Sequence, residues 1–127
     1  MICNNVLAHV PNLNDFIAGL KLLLKPKGII TLEFPSLCKL IENNQFDTIY
    51  HEHLRYYSLE SLKYLFNKYG MKIIHAKKIN THGGSIRVYA TKKNKLKVNK
   101  SVANILNLEK NFLHWKTFEK FKKKVVQ

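Results

Sequence analysis

The first third of the chain alternates between apolar runs of strand length and one apolar stripe at helical spacing. Residues 1–10 and 29–34 form the two runs, and each is typical of a buried parallel strand. Between them the spacing i, i+3, i+4, i+7 predicts a helix that is capped by Asn12 or Asn14 and ends before Gly28. The positions predicted to be buried in the first run and the helix are Ile2, Val6, Leu7, Val10, Leu13, Phe16, Ile17, Leu20, Leu23 and Leu24. This order predicts a strand–helix–strand unit with a right-handed crossover.

Two further helices are predicted after the second strand. A short one spans roughly 36–44, and its apolar side is formed by Leu37, Leu40 and Ile41. A longer one spans 59–69, where Ser58 is typical of an N-cap and Gly70 of the residue that ends a helix. Its inward side is formed by Leu62, Leu65, Phe66 and Tyr69.

The last part of the pattern predicts a hairpin and a helix. Strands over 71–79 and 85–91 are separated by the short turn 81–84, so they must pair antiparallel. From about Ser101 onward one long helix is predicted, with an apolar stripe made of Ile105, Leu108, Phe112, Trp115 and Phe118.

The order of these elements indicates an α/β fold. A parallel β–α–β unit, a helix and an antiparallel terminal hairpin resemble the second half of a class I methyltransferase (Rossmann-like) sheet, whose last strand is antiparallel to the others. A long C-terminal helix follows that half sheet. Other α/β sheets fit the pattern equally well, and a fold does not by itself define a function.

Composition excludes some classes of protein and leaves others open. The 127 residues suffice for one modest core, and no apolar run approaches the ~18 residues of a membrane span. Cys3 and Cys38 form no disulfide framework, which favours a reducing cytoplasm. The sequence therefore predicts a cytoplasmic domain without a membrane partner.

The net charge of +14 is concentrated in the second half of the chain. Residues 1–70 carry +1 and residues 71–127 carry +13, and 20 of the 22 cations are lysine. Arginine, which is suited to bidentate contacts with bases and phosphates, occurs only at Arg55 and Arg87. We therefore expect a solvated lysine-rich surface rather than a nucleic-acid partner, although a nucleic-acid-binding module remains an alternative.

The segment 46–58 is the densest in groups that carry chemistry. If it is extended, His51 and His53 lie on one side and Glu52 on the other. A carboxylate or the Tyr50 hydroxyl could hold one ring nitrogen and leave the other as a general base near neutral pH. Exposed loop histidines are an equally good interpretation. A metal site is a weaker one, because the sequence does not place a third and fourth ligand near the two histidines.

Two other groups are predicted to lie near this segment. Asn4, Asn5 and His9 follow the first strand, and ligands of open α/β sheets bind beyond the carboxyl ends of strands. The turn formed by Thr81, His82, Gly83 and Gly84 contains two glycines that allow positive φ, and its amides could stabilise an oxyanion. Purely structural roles are alternatives for both groups.

Four segments together resemble one enzyme family. NNVLAHVPNLNDF, KPKGIITLEFP, QFDTIYHEHLRYYS and THGGSIRVYA occur in this order, and they are similar to the sugar C-methyltransferases. That family uses S-adenosyl-L-methionine to methylate carbon, as at C-3′ of nucleotide-linked keto-deoxysugars. The resemblance is strong over residues 2–91 and looser over 92–127.

The resemblance implies a role for each candidate residue. His53 matches the general base that removes a proton beside the keto group, so that the enolate can attack the methyl donor. Tyr50, Glu52 and His9 match residues of the same catalytic pocket, and Asn4 and Asn5 lie on the cofactor side. The turn of Thr81, His82, Gly83 and Gly84 falls at the wall of the substrate-binding pocket.

The resemblance also implies that the chain is a fragment of a three-part enzyme. Residues 1–95 match part of the methyltransferase domain without its N-terminal half, and residues 96–127 match a linker helix toward an absent C-terminal domain. The glycine-rich cofactor loop is not in the sequence, and zinc is expected only in the missing N-terminal region. We therefore expect the chain alone to be inactive, and its partners to be a nucleotide-linked sugar and the missing parts of the enzyme. A class I methyltransferase with another small-molecule substrate is the nearest alternative.

Overall fold

The computed structural model describes residues 1–93 and 95–127. Its strands are β1 (Ile2–Asn4), β2 (Ile30–Pro35), β3 (Met71–Ile79) and β4 (Ser85–Lys92). Its α-helices are α1 (Leu13–Leu23), α2 (Leu37–Glu42), α3 (Leu59–Lys68), α4 (Lys100–Phe112) and α5 (Trp115–Val126). Single turns of 3-10 helix span Leu7–His9, Phe46–Thr48 and Thr81–Gly83.

The four strands form one mixed sheet in the order β1-β2-β4-β3. β1 pairs parallel with β2, while β4 lies between β2 and β3 and is antiparallel to both. The predicted strand–helix–strand unit and antiparallel terminal hairpin are therefore confirmed. The last strand opposes the others, as the second half of a class I methyltransferase sheet requires.

One face of the sheet carries the hydrophobic core. Side chains alternate along a strand, so Leu32 and Phe34 of β2 point to the same face as Ile86 and Val88 of β4. Helices α1, α3 and α4 cover this face through Ile17, Leu20, Leu59, Leu62, Phe66, Val102 and Ile105. The opposite face carries the polar cross-strand pair Glu33 and Arg87.

Local signals for helix ends are confirmed. The Asn12 side chain accepts a hydrogen bond from the Asp15 amide at the start of α1, and Ser58 caps α3 in a capping box with Ser61. Gly70 follows α3 with φ +68°, a conformation that glycine adopts without steric cost. These ends were predictable because each depends on a few neighbouring residues.

Three positions predicted to be buried in the first run and the helix are exposed instead. Ile2 is 75% exposed, Leu23 is 73% exposed and Val6 is 38% exposed. β1 has only three residues and pairs on one side only within the described chain, so the Ile2 side chain has no strand beyond it. Leu23 lies in the last turn of α1, whose contact with the sheet is made by Leu24.

The C-terminal region forms two helices where the pattern predicts one. The chain is extended at His114 (φ −135°, ψ 165°), between α4 and α5. Helix α4 buries Val102, Ile105 and Glu109, whereas α5 buries none of its residues. The predicted stripe is therefore divided, and of its residues only Ile105 belongs to the core, since Leu108 is 54% exposed. No helix of the described residues is both long enough and apolar enough to span a membrane.

A buried carboxylate joins α4 to the start of α3. Glu109, only 4% exposed, accepts hydrogen bonds from the amides of Leu59 (2.7 Å) and Glu60 (3.0 Å). Ser58 Oγ accepts from the next amide, that of Ser61. The first three N–H groups of α3 are thus all paired, which offsets the cost of burying this end of the helix.

Glu109 predicts a pH dependence of folding stability. Burial raises the pKa of its carboxyl group, an effect that the two amide hydrogen bonds only partly oppose. The folded state therefore keeps a proton that the unfolded chain loses first, and the free energy of unfolding falls as pH rises from the ordinary to the raised value. We expect Glu109→Gln to flatten this slope in urea denaturation at pH values above the ordinary pKa of a glutamate carboxyl group. The control, Glu119→Gln on exposed α5, should keep the wild-type slope; an unchanged slope in Glu109→Gln would contradict the assignment.

Candidate active site

A cleft of about 620 Å³ opens at the carboxyl ends of β1 and β2. Its walls come from the 3-10 turn after β1, from segment 45–57 and from the turn after β3. The predicted site residues that line it are Asn5, His9, Tyr50, His53, His82 and Gly83. Six of the ten predicted site residues therefore line one cleft.

His53 is held at both ring nitrogens. Nδ1 lies 2.7 Å from the Thr48 carbonyl oxygen, and Nε2 lies 3.2 Å from the Tyr50 hydroxyl. A carbonyl oxygen can only accept a hydrogen bond, so Nδ1 carries a proton and donates a hydrogen bond to the Thr48 carbonyl. In the neutral ring Nε2 is then the basic nitrogen, and the Tyr50 hydroxyl donates to it.

Aromatic rings surround His53 on the cleft side. The Tyr50 ring lies 4.3 Å from the His53 ring, centroid to centroid, and the His9 ring lies 5.0 Å away in an edge-on arrangement. Tyr56 makes a third, more distant contact at 6.3 Å. These contacts restrict the rotation of the imidazole and keep Nε2 near the hydroxyl group of Tyr50.

Residues 54–57 are bonded to the backbone of residues 7–11, and we call these contacts the clamp. The Leu54 amide donates to the Ala8 carbonyl at 2.8 Å. The Arg55 guanidinium donates to the carbonyls of Val10 (2.5 Å) and Pro11 (3.1 Å). The buried Tyr57 hydroxyl donates to the Leu7 carbonyl at 3.2 Å.

The clamp explains why His53 and His9 face each other. It brings the segment that carries His53 against the turn Leu7–His9, although 44 residues separate the two histidines in the chain. Burial raises the pKa of Tyr57, so its phenol stays protonated and remains a donor near neutral pH. This structural role of Arg55 was not predicted from the sequence.

The His/Tyr segment is not extended, so the alternation considered for an extended chain does not apply to it. The chain makes a 3-10 turn over Phe46–Thr48 and a second turn closed by the His53 amide on the Tyr50 carbonyl. As a result His51 and His53 do not share one side. The side chains of His51 and Glu52 are 89% and 61% exposed, and Glu52 does not line the cleft.

A metal centre finds no support in the described residues. They contain no group of three or more histidine, cysteine or acidic side chains that could hold an ion. Cys3 and Cys38 are free, and burial raises the pKa of the Cys38 thiol to about 11. That thiol is therefore protonated near neutral pH and is a poor metal ligand.

The glycine turn after β3 only partly matches its predicted role. His82 has φ +50°, Gly83 +74° and Gly84 +116°, so the predicted positive φ values are present. The Gly84 amide, however, donates to the Thr81 carbonyl and is not available for an oxyanion. Thr81 and Gly84 do not line the cleft; Thr81 donates to Glu33, and Gly84 lies against the Lys39 side chain.

Gln45 and Asn43 hold this turn, and neither was predicted as a site residue. Both side-chain amides donate to the Gly83 carbonyl, at 3.2 Å and 3.3 Å. A Cβ atom at Gly83 would lie only 2.1 Å from Gln45 Nε2. Glycine is therefore required here both by its φ value and by the close approach of Gln45.

The fold and this geometry agree with comparisons to known proteins. Residues 1–76 match a family described as "Methyltransferase domain". The chain belongs to this methyltransferase family. Residues 80–127 match a second family, described as "C-methyltransferase C-terminal domain".

A curated relative agrees with these matches. The C-methyltransferase NovU of Streptomyces niveus is 45% identical over 83 residues, an alignment that covers 65% of this chain and 20% of the relative. The chain thus spans about a fifth of the length of the curated relative that it matches. The resemblance to C-methyltransferases is confirmed.

One of the two asparagines predicted to bind the cofactor lines the cleft. Asn5 lies at the cleft with φ +56°, and its Oδ1 atom is buried without a hydrogen-bond partner in the described residues. An unpaired buried oxygen fits a ligand that donates a hydrogen bond, such as the ammonium group of S-adenosyl-L-methionine. Asn4 is exposed within β1 and does not line the cleft.

The clamp predicts a specific loss of stability when one of its hydrogen bonds is removed. Tyr57→Phe removes the hydroxyl and leaves the Leu7 carbonyl buried without its donor, at a cost of about 1–3 kcal/mol. Tyr64, which is 76% exposed, provides a matched control. We expect Tyr64→Phe to change the free energy of unfolding by less than about 0.5 kcal/mol. Equal effects of the two variants in denaturant unfolding would show that the Tyr57 hydroxyl does not support the clamp.

Proposed function

We propose that the chain is the substrate-facing part of an S-adenosyl-L-methionine-dependent C-methyltransferase that acts on a nucleotide-linked keto-deoxysugar. The observation that carries the proposal is the placement of His53. Its Nε2 lies at the cleft, its tautomer is fixed by Thr48, and a phenol contacts the same nitrogen. Family membership supports methyl transfer, and the C-methyltransferase relative supports carbon as the acceptor atom.

His53 is the proposed general base. Carbon attacks a methyl group only after it loses a proton, and a hydrogen beside a carbonyl is acidic enough for a positioned imidazole to remove. Nε2 accepts this proton, while the hydrogen bond from Nδ1 to Thr48 stabilises the imidazolium that forms. The bound cofactor supplies the electrophilic methyl group.

Tyr50 is the proposed partner of the developing enolate. In the structure its hydroxyl donates to His53 Nε2, the nitrogen that must be free to accept the substrate proton. When the substrate C–H replaces this contact, the hydroxyl can donate to the keto oxygen instead. His9, whose ring lies against His53, can offer a second donor to the same oxygen.

Other parts of the enzyme complete the proposed site. The chain covers 20% of the relative's length, so we propose that the remaining parts bind most of the methyl donor and the nucleotide. Residues 1–95 are proposed to act as one part of the methyltransferase domain and residues 96–127 as the connection to a further domain. The exposed apolar residues Leu22, Leu23 and Trp115 are available for contacts with those parts.

The two histidines of the same turn allow a controlled test. In the enzyme that contains this chain, His53→Ala should lower kcat by about 10²–10⁴-fold because the base is lost. His51→Ala should leave kcat nearly unchanged, since the His51 side chain is 89% exposed. Methyl transfer to a keto-deoxysugar nucleotide is measured by mass spectrometry.

Two results would contradict this account. Normal turnover of His53→Ala would remove the base assignment. Turnover of another carbonyl compound, with none of any keto-deoxysugar nucleotide in the same assay, would leave a methyltransferase of this family but overturn the proposed substrate class.

A further inference from the structure

A closed ring of hydrogen bonds connects three segments beside the cleft. Glu33, at the end of β2, is only 4% exposed. Its Oε1 accepts from the Thr81 hydroxyl at 3.0 Å, and its Oε2 accepts from Arg87 Nε (3.0 Å) and Nη2 (2.9 Å). Its backbone carbonyl accepts from the Asn5 amide at 2.8 Å.

The ring closes through the pair formed by Asn5 and His82. Asn5 Nδ2 lies 3.2 Å from His82 Nε2, and His82 is the neighbour of Thr81 in the chain. We call the four residues Glu33, Asn5, His82 and Thr81 the Glu33 ring. An amide nitrogen can only donate, so His82 Nε2 accepts and the ring proton of His82 lies on Nδ1.

Two members of the Glu33 ring have unfavourable backbone conformations. Asn5 has φ +56° and His82 has φ +50°. Non-glycine residues in this region are strained and persist where the surrounding structure holds them. The bonds from Asn43 and Gln45 to the Gly83 carbonyl hold the same turn from its other side.

We propose that Glu33 is a positioning residue of the cleft, which fixes the place and the tautomer of His82. The carboxylate accepts from Thr81, and the backbone carbonyl of the same residue accepts from Asn5, so Glu33 contacts both neighbours of the His82 imidazole in the ring. His82 Nδ1–H is then the donor that the ring offers to an oxygen of the sugar. The role in sugar binding rests on the proposed function, whereas the ring itself does not.

The buried Glu33 carboxylate is balanced within the sheet. Arg87 lies directly opposite in the register of β2 and β4 and binds one oxygen with two nitrogens. Its bonds to Glu33 raise the pKa of the Arg87 guanidinium, which stays charged. The second oxygen of Glu33 is thereby left to Thr81, so the turn can be released without breaking the ion pair.

This separation defines the test. Thr81→Val removes only the hydroxyl donor to Glu33 and keeps the β-branched shape. Thr117→Val, on α5, is the matched control because its hydroxyl contacts only a histidine of its own helix end. The tautomer of each histidine is read from the ¹⁵N shifts of its ring nitrogens by NMR of the 127-residue chain, and His82→Gln assigns the His82 signals.

The expected result is a change at His82 that leaves the fold intact. The wild-type chain and Thr117→Val should show His82 with the proton on Nδ1. In Thr81→Val the Nε2–H form should become the major one, with little change in the melting temperature. Glu33→Gln should show the same shift, while Glu119→Gln should not.

Other results would overturn the proposal. An unchanged His82 tautomer in Thr81→Val would overturn it. If only the melting temperature fell in this variant, the contact between Thr81 and Glu33 would be merely structural. A ring proton on Nε2 of His82 in the wild-type chain would overturn the proposal directly. If Glu33→Gln does not fold, the His82 tautomer in Thr81→Val decides between the two outcomes. No substrate is present, so failure of the proposed sugar methylation would leave this result intact.

Discussion

The structure of the cleft depends on the clamp between residues 54–57 and the backbone of residues 7–11. The chain has just left β1 at this point, so the carbonyls of Leu7, Ala8, Val10 and Pro11 have no strand partner. Each accepts instead from a residue of the later segment. The buried carbonyls of Leu7 and Ala8 would each cost about 1–3 kcal/mol if left unpaired, so their bonds hold the two segments together. The position of His53 against His9 follows from this contact.

A second constraint acts on the opposite wall. The Glu33 ring and the amides of Asn43 and Gln45 hold the turn that carries His82. The cleft therefore lies between two rigid elements that are built from different parts of the chain. Burying polar groups this close together costs free energy unless each has a hydrogen-bond partner. The Oδ1 atom of Asn5 has no such partner in the described residues, so a ligand can donate a hydrogen bond to it. A preorganised wall on each side of His53 is what base catalysis at a weakly acidic C–H requires.

Sequence patterns predicted the features that depend on neighbouring residues. Ser58 and Gly70 delimit α3 because capping is local, and the short turn before β4 imposes an antiparallel hairpin. Exposure of Ile2 and Leu23 was not predictable, since it depends on which surfaces the rest of the fold covers. The placement of His51 and His53 on one side applied only if the segment was extended, and the His53 amide instead closes a turn on Tyr50. The break at His114 was missed since the apolar stripe continues across it.

Some residues that build the site carried a signal in the sequence. Glu33 is the single carboxylate in an apolar strand, and Arg55 is one of only two arginines. A charged residue in such a position is expected to have a buried partner, although its identity depends on the tertiary fold. Gln45 and Asn43 carried no such signal, because their contacts with Gly83 span about 40 residues and are made by side chains common on surfaces.

We propose that His53 removes a proton from the carbon beside the keto group of the substrate. Solvent deuterium exchange tests this step separately from methyl transfer. The enzyme that contains this chain is incubated with the keto-deoxysugar nucleotide in deuterium oxide without a methyl donor, and the sugar is analysed by NMR. The wild-type protein should catalyse deuterium incorporation at that carbon. With His53→Gln, the rate of incorporation should be no higher than in buffer without enzyme. Exchange by His53→Gln at the wild-type rate would contradict it.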